Sequence, residues 1–400
     1  MSGRAAVAFA TALIVCLGVG LWYGGHPNKL PGFLRDAFVG GEAGLNVEAT
    51  EEIEDNYFRS VTTGQLTDSS LQGMARGLRR RYHDRFSEYF SPEAQERFSE
   101  AIAGRFTGIG LEVTEVRKGL RATHVFKASP ADRGGIEVGD VIVSVDGESI
   151  AGLSSTEATA KIKGPEGTEV TVGVLDHVDG KVHELRLTRE QIALPVVTGK
   201  LERVDGRRLG YVRLATFSEG SHAYLRKQVA KLEREGAEGI VLDLRANGGG
   251  LLGEAVLGAS IFLPEGEVVT STESRTQGHA VYRTVGENLP EKPVVVLIDR
   301  NTASAAEILT AALADDAGAP VVGTRSFGKG VFQQEFDLSN GGALKLTVGE
   351  YFTPDGVNLA AAHGIHPDVG VVDDPATSRD EGLDRALKVL AEQQAGRAGE

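Results

Sequence analysis

From residue 209 onward, strand-like apolar runs alternate with runs at helical spacing, and this alternation leaves the chain few architectures. Residues 209–214 suit a strand, the segment to Glu235 a helix, 239–244 a strand, the segment to Phe262 a helix, 294–299 a strand and the segment to Asp315 a helix. Strands repeat their apolar side chains every second residue, or run continuously apolar when both faces are covered, whereas helices repeat them about every 3.6 residues. Repeated βα units of this kind specify an α/β core over 190–372. No internal repeat of fixed period accompanies it.

Upstream the pattern differs. Residues 107–189 contain short β-runs punctuated by glycine, among them 141–145 before Asp146-Gly147 and 170–174 before another turn, which makes a compact β-rich module. Residues 46–106 carry helical spacing: Ile53, Tyr57 and Phe58 open one helix, Leu71, Met74 and Leu78 a second, and Ser91-Pro92-Glu93 starts a third with a cap followed by proline. The Arg79-Arg80-Arg81 run reads as a solvated helix face. Residues 26–45 are a Gly/Pro-rich linker and 373–400 a helical tail.

At the N-terminus, Arg4 precedes an uncharged stretch over 5–25, and about 20 apolar residues suffice to span a bilayer. Trp22 and Tyr23 suit the far interface, and Arg4 favours a cytoplasmic N-terminus. We expect residues 1–25 to be an uncleaved anchor rather than a signal peptide, whose apolar region is shorter, with the rest of the chain on the periplasmic or extracellular side of the cell membrane. The one cysteine, Cys16, lies inside this run, so no internal disulfide and no thiolate metal cluster can form. The formal net charge of −14, with scattered Lys and Arg, argues against nucleic acid as a partner.

Within the β-rich module, Gly108-Ile109-Gly110-Leu111 opens a strand, Ser129-Pro130-Ala131 starts a short helix, and Gly139-Asp140 leads into another strand. Together these resemble a PDZ domain. In such domains the glycine loop turns backbone N–H groups toward a peptide's terminal carboxylate, and the adjacent strand takes up the peptide by β-augmentation. Gly108, Ile109, Gly110 and Leu111 are therefore the expected binding residues for a substrate C-terminus, in an apolar setting.

Ser304 follows the apolar run 294–298 and begins an Ala/Leu-rich helix, where free N–H groups and the positive dipole end suit an oxyanion, with the Ala305 N–H beside the hydroxyl. Ser304 and Glu307 also fit the capping pattern Ser-x-x-Glu, and on this segment alone capping is the better reading. None of the nine histidines lies in a recognisable catalytic motif, and Gly-x-Ser-x-Gly is absent. A lysine serves as base only when uncharged. Lys329 lies between Gly328 and Gly330 among Phe327, Val331 and Phe332, where desolvation would lower its pKa, although most lysines in glycine turns are simply exposed. Lowering it from about 10.4 to about 7 costs about 4.6 kcal/mol, which requires good enclosure.

Several motifs occur together in one order. Phe86-Ser87-Glu88-Tyr89-Phe90-Ser91-Pro92-Glu93, Lys163-Gly164-Pro165-Glu166-Gly167-Thr168, Asp243-Leu244-Arg245-Ala246-Asn247-Gly248-Gly249-Gly250, the Ser304 segment, Lys329 with Gln333, and Gly364-Ile365-His366-Pro367-Asp368 follow one another. In this order they resemble the carboxyl-terminal processing proteases, also called tail-specific proteases. The resemblance implies that Ser304 is the nucleophile, Lys329 the general base and Gln333 its orienting partner, with Gly249 and the Ala305 N–H as oxyanion donors. Asp315 falls where a third catalytic carboxylate is placed in some members, yet it adjoins Asp316, and an anion beside Lys329 would raise the lysine pKa and oppose its work. Gly248 stands where many members have proline. Neither cofactor nor metal is implied.

The expectation is thus a multidomain α+β chain: an N-terminal membrane helix, a small helical domain, a PDZ domain and a crotonase-like α/β protease core. It implies a serine endopeptidase acting on exported or unfolded proteins with apolar C-termini, with a second copy or an activating adaptor as further partners. Two rivals stand beside it: a non-catalytic membrane-tethered PDZ adaptor, and thioester chemistry on acyl-CoA, which the crotonase resemblance alone would suggest.

Overall fold

The computed structural model describes residues 41–374 and 376–397. The expected anchor at 1–25, with Cys16, and the linker residues up to 40 lie outside the described residues. Among those described, no helix is long and apolar enough to cross a membrane. The chain divides into two compact units, Met1–Ser91 and Pro92–Glu400.

In the first unit, helices Gly41–Asn56 and Thr63–Tyr82 precede a short strand, Glu88–Phe90. The second helix starts at a reciprocal capping box: Gln65 N–H donates to Thr62 Oγ1, and Thr62 N–H donates to Gln65 Oε1. It ends on Arg79, Arg80 and Arg81, exposed cations at the negative end of the helix dipole, the solvated face expected of them. The apolar residues that marked these helices are not a core. Phe58 is 77% and Met74 55% exposed, and Ala75 is the buried residue of the second helix.

The third expected helix, Pro92–Ala103, belongs to the second unit. Strand Arg105–Gly108 then pairs antiparallel with Glu190–Ala193, so the chain enters and leaves the intervening module side by side. That module is a sheet ordered Leu111–Val116, Gly119–Val125, Val141–Val145, Glu169–Leu175, Val182–Thr188, with helices Pro130–Arg133 and Ser155–Ile162. Ile109, Leu120, Ile142, Ile150, Ala158, Val170 and Val172 close its core.

The α/β core is a six-stranded sheet ordered Val197–Val204, Arg207–Leu214, Ile240–Asp243, Val294–Ile298, Val321–Gly323, Val369–Gly370. The first pair is antiparallel and the remaining pairings are parallel. All five residues of Val294–Ile298 are buried because both faces are covered. Ile240, Leu242, Val296 and Ile298 pack with helices Ser221–Arg234, Leu252–Ala259 and Ala305–Ala317 on one face. Val241, Val295 and Leu297 pack under the C-terminal helix Glu381–Arg397, through Leu383, Leu387 and Leu390, on the other. The helical tail is thus a structural layer of the core. A further antiparallel layer, in which Ala343–Phe352 pairs with both Val268–Ser274 and Val331–Asp337, carries residues of the site.

Candidate active site

The parallel strands Ile240–Asp243 and Val294–Ile298 end side by side, and the loops leaving their carboxyl ends meet there. Thr302 Oγ1 donates to the Leu244 carbonyl at 2.8 Å, Ala246 N–H to Asp299 Oδ1 at 3.0 Å, and Ala303 N–H to the Asn247 carbonyl at 3.0 Å. The buried Asn247 amide donates to the Leu214 carbonyl at 2.9 Å, which pins the first loop to a neighbouring strand. Arg245 pins the same loop to the C-terminal segment, donating to Asp243 and to Asp380 at 2.7–2.9 Å.

Ser304 stands at the N-terminus of helix Ala305–Ala317 with φ 57° and ψ −122°. An ordinary N-cap residue is extended, and a non-glycine residue held at positive φ stores strain of the kind found at functional sites. Its N–H donates to Glu307 Oε2 at 2.8 Å, as Ser-x-x-Glu foretells. What that pattern does not foretell is the rest of the Glu307 environment. The carboxylate is fully buried and also accepts from Ser326 Oγ, from Gly328 N–H at 2.7 Å and from Lys329 N–H at 3.0 Å. One side chain therefore ties the Ser304 backbone to the loop carrying Lys329. Burial pushes the Glu307 carboxyl above its ordinary range, and these four donors pull it back toward the ionised form.

Ser304, Ala305, Lys329 and Gln333 line one cleft of about 310 Å³, together with Gly248, Gly250, Thr272, Phe332 and Tyr351. Phe98 and Ile102 reach it from helix Pro92–Ala103. Lys329 is half-buried and lines the cleft beside Phe332, while Phe327 stands 43% exposed. Gln333 lies at a register shift between Phe332 and Gln333, a bulge of the kind that re-aims a side chain, and its amide donates to Thr347 Oγ1 at 3.3 Å.

Two expected site residues are placed differently. Gly249 does approach Ser304: at φ 100°, a Cβ there would fall 2.8 Å from Ser304 Cβ and 3.0 Å from Ala305 N, so only glycine fits. Its N–H, however, donates to Asn247 Oδ1 at 2.9 Å and is turned from the cleft, whereas the flanking Gly248 and Gly250 line it. The Ala305 N–H is a first-turn donor that its own helix cannot satisfy. Asp315 lies three turns along the helix, roughly 16 Å from Ser304 at 1.5 Å per residue, and is no part of the cleft. Partial burial, Asp355 and Asp316 push its carboxyl up to about 6.

In the β-rich module, Gly108, Ile109, Gly110 and Leu111 line a small groove with Thr159, Ile162 and Lys163 of the neighbouring helix and its cap. Strand Leu111–Val116 is at the edge of its sheet, open to a further strand. Gly110, at φ 86°, leaves no room for a Cβ beside Ser129. Lys163 also bonds Glu100 at 2.7 Å, joining the groove to the helix that carries Phe98 and Ile102.

Comparison with known proteins identifies this architecture. The profile of peptidase family S41 matches residues 208–371, and that of the PDZ domain matches 122–176. The chain is 34% identical over 322 residues to the carboxy-terminal processing protease CtpA of Bacillus subtilis, covering 80% of this chain and 67% of that one. It is 33% identical over 343 residues to a carboxy-terminal-processing protease of Bartonella bacilliformis, covering 84% and 76%. Among solved structures, a photosystem II D1 C-terminal processing protease aligns over 86% of this chain and 96% of that one, at 29% identity and a TM-score of 0.48. The chain belongs to the carboxy-terminal processing proteases, serine-type peptidases of family S41, and carries their PDZ domain beside the peptidase core.

Proposed function

We propose that this peptidase is an endopeptidase that takes the C-terminus of an exported or unfolded protein into the groove at 108–111 and cleaves the chain with a Ser304–Lys329 dyad. The observation that carries the reading is the Glu307 carboxylate, which accepts from both the Ser304 and the Lys329 N–H groups and so fixes the two in one cleft. Uncharged Lys329 takes the Ser304 proton as Oγ attacks the peptide carbonyl, and returns it to the leaving amine. Gln333 orients the lysine. The Ala305 N–H meets the developing oxyanion, and the Gly249 N–H joins it by leaving Asn247, a rotation glycine makes easily.

Substrate docking is linked to this step. A peptide carboxylate entering the groove competes for Lys163 with Glu100, which frees helix Pro92–Ala103 and with it Phe98 and Ile102 in the cleft. A tenfold activation needs about 1.4 kcal/mol of differential affinity. The crotonase-like description of the core, membrane tethering through 1–25, an extracytoplasmic catalytic part and self-association through the exposed apolar residues of 41–91 belong to the same reading. The test is cleavage of denatured casein by purified wild type, Ser304→Ala and Lys329→Ala. Both variants are expected to lose cleavage while melting like wild type, and cleavage by wild type to be indifferent to chelator. Undiminished cleavage by Lys329→Ala would overturn the dyad.

A further inference from the structure

Tyr351 is the largest fully buried side chain of the core, 1% exposed, yet it lines the cleft with Ser304. Its ring packs in the cluster that holds Phe217, Ala305, Ile308 and Leu309. Its backbone is fixed on the lysine side: Tyr351 N–H donates to the Gly330 carbonyl at 3.1 Å, and Asn358 Nδ2 bonds both that carbonyl and Tyr351's own. The phenol hydroxyl has no hydrogen-bond partner among the described residues. A buried polar group without a partner costs stability, and phenylalanine would fill the same space without that cost. The Ser304 side chain is the polar neighbour that bears on the hydroxyl, and the Glu307 charge acts on it as well; no bond of ordinary hydrogen-bond geometry closes between the two hydroxyls.

We propose that Tyr351 is a further catalytic residue, whose hydroxyl donates a hydrogen bond to Ser304 Oγ as that oxygen gives up its proton. This rests on the reading of Ser304 as nucleophile. In the step, the Oγ–H bond breaks toward Lys329 Nζ and the Oγ–carbonyl carbon bond forms. The phenol keeps its own proton and contributes only the hydrogen bond, strongest while Oγ carries partial negative charge. Burial and the Glu307 charge hold the phenol in its protonated, donating form at any working pH. The hydroxyl's lack of a partner in the resting site is then a preorganised donor waiting for charge to develop.

The experiment compares full-length wild type, Tyr351→Phe and Ser304→Ala by cleavage of denatured casein, by the rate of serine labelling with a fluorophosphonate across pH, and by melting temperature. For Tyr351→Phe, kcat/KM and labelling rate are expected to fall about 10- to 100-fold at every pH, with an unchanged midpoint of the pH profile and an equal or higher melting temperature. Wild-type cleavage and labelling by Tyr351→Phe, with Ser304→Ala inactive, would overturn the role of Tyr351 and leave the nucleophile standing. A loss of activity accompanied by a lower melting temperature would also overturn it, because the hydroxyl would then be a structural partner. Wild-type cleavage by Ser304→Ala would remove the nucleophile itself.

Discussion

Replacing Glu307 by Gln separates a helix cap from a hub of the active site. Each carboxylate oxygen accepts two donors: Oε1 from Ser326 Oγ and Gly328 N–H, Oε2 from the Ser304 and Lys329 N–H groups. Glutamine keeps one acceptor oxygen and presents an NH2 group to the other pair, so two hydrogen bonds to a charged group are lost at about 1.5–3 kcal/mol each. Relief of the buried charge offsets part of this. We expect a net loss of about 2–4 kcal/mol and a melting temperature lower by about 6–12 °C for a core of this size. Catalysis should suffer more, because the side chain that loses these bonds is the one that joins the Ser304 backbone to the loop carrying Lys329. The assay is kcat on a fluorogenic peptide at a temperature where circular dichroism reports a folded variant. A fall of at least about 100-fold is expected there. A folded Glu307→Gln with wild-type kcat would refute the coupling, since a cap alone contributes only about 1 kcal/mol to stability.

Gly249→Ala should nearly abolish cleavage while sparing peptide binding by the PDZ domain, because its Cβ would strike Ala303 O and Ser304 Cβ at 2.8 Å; kinetics and calorimetry measure the two. Asp315→Asn should retain activity, since Asp315 is outside the cleft. Its folded-state pKa is raised to about 6, so the penalty on the charged form appears as pH rises through about 4 to 6. The variant should therefore melt like wild type at pH 4 and slightly higher at pH 7.5, by less than about 1 kcal/mol in stability because the group is largely solvated. Gly110→Val should weaken capture of peptides ending in free Ala-Ala, with the amidated peptide weak in both proteins; fluorescence anisotropy reads both. Equal affinities throughout would remove the groove from substrate selection.

Periodicity by itself determined the core elements. The runs 209–214, 239–244 and 294–299 became strands, and the segments after them helices, because burial on both faces or on one stripe writes itself into neighbouring residues. Local chemistry likewise placed Ser304 at a helix start and left Gly108-Ile109-Gly110-Leu111 on a groove beside an open strand edge. The helical spacing of 46–91 was legible as helix but not as core, since periodicity marks a face and not what covers it. Tertiary structure alone decided the rest. Three of the four donors to Glu307 lie 19 to 22 residues away, so a motif of four residues could name its capping bond and none of the others. Whether the Gly249 N–H faces the cleft depends on Asn247, and whether Asp315 reaches Ser304 depends on the straight rise of a helix that carries it off. Phe98 and Tyr351 come to Ser304 from elements 206 residues before it and 47 after it. Such meetings are properties of packing between distant segments, which no local spacing of residue types records.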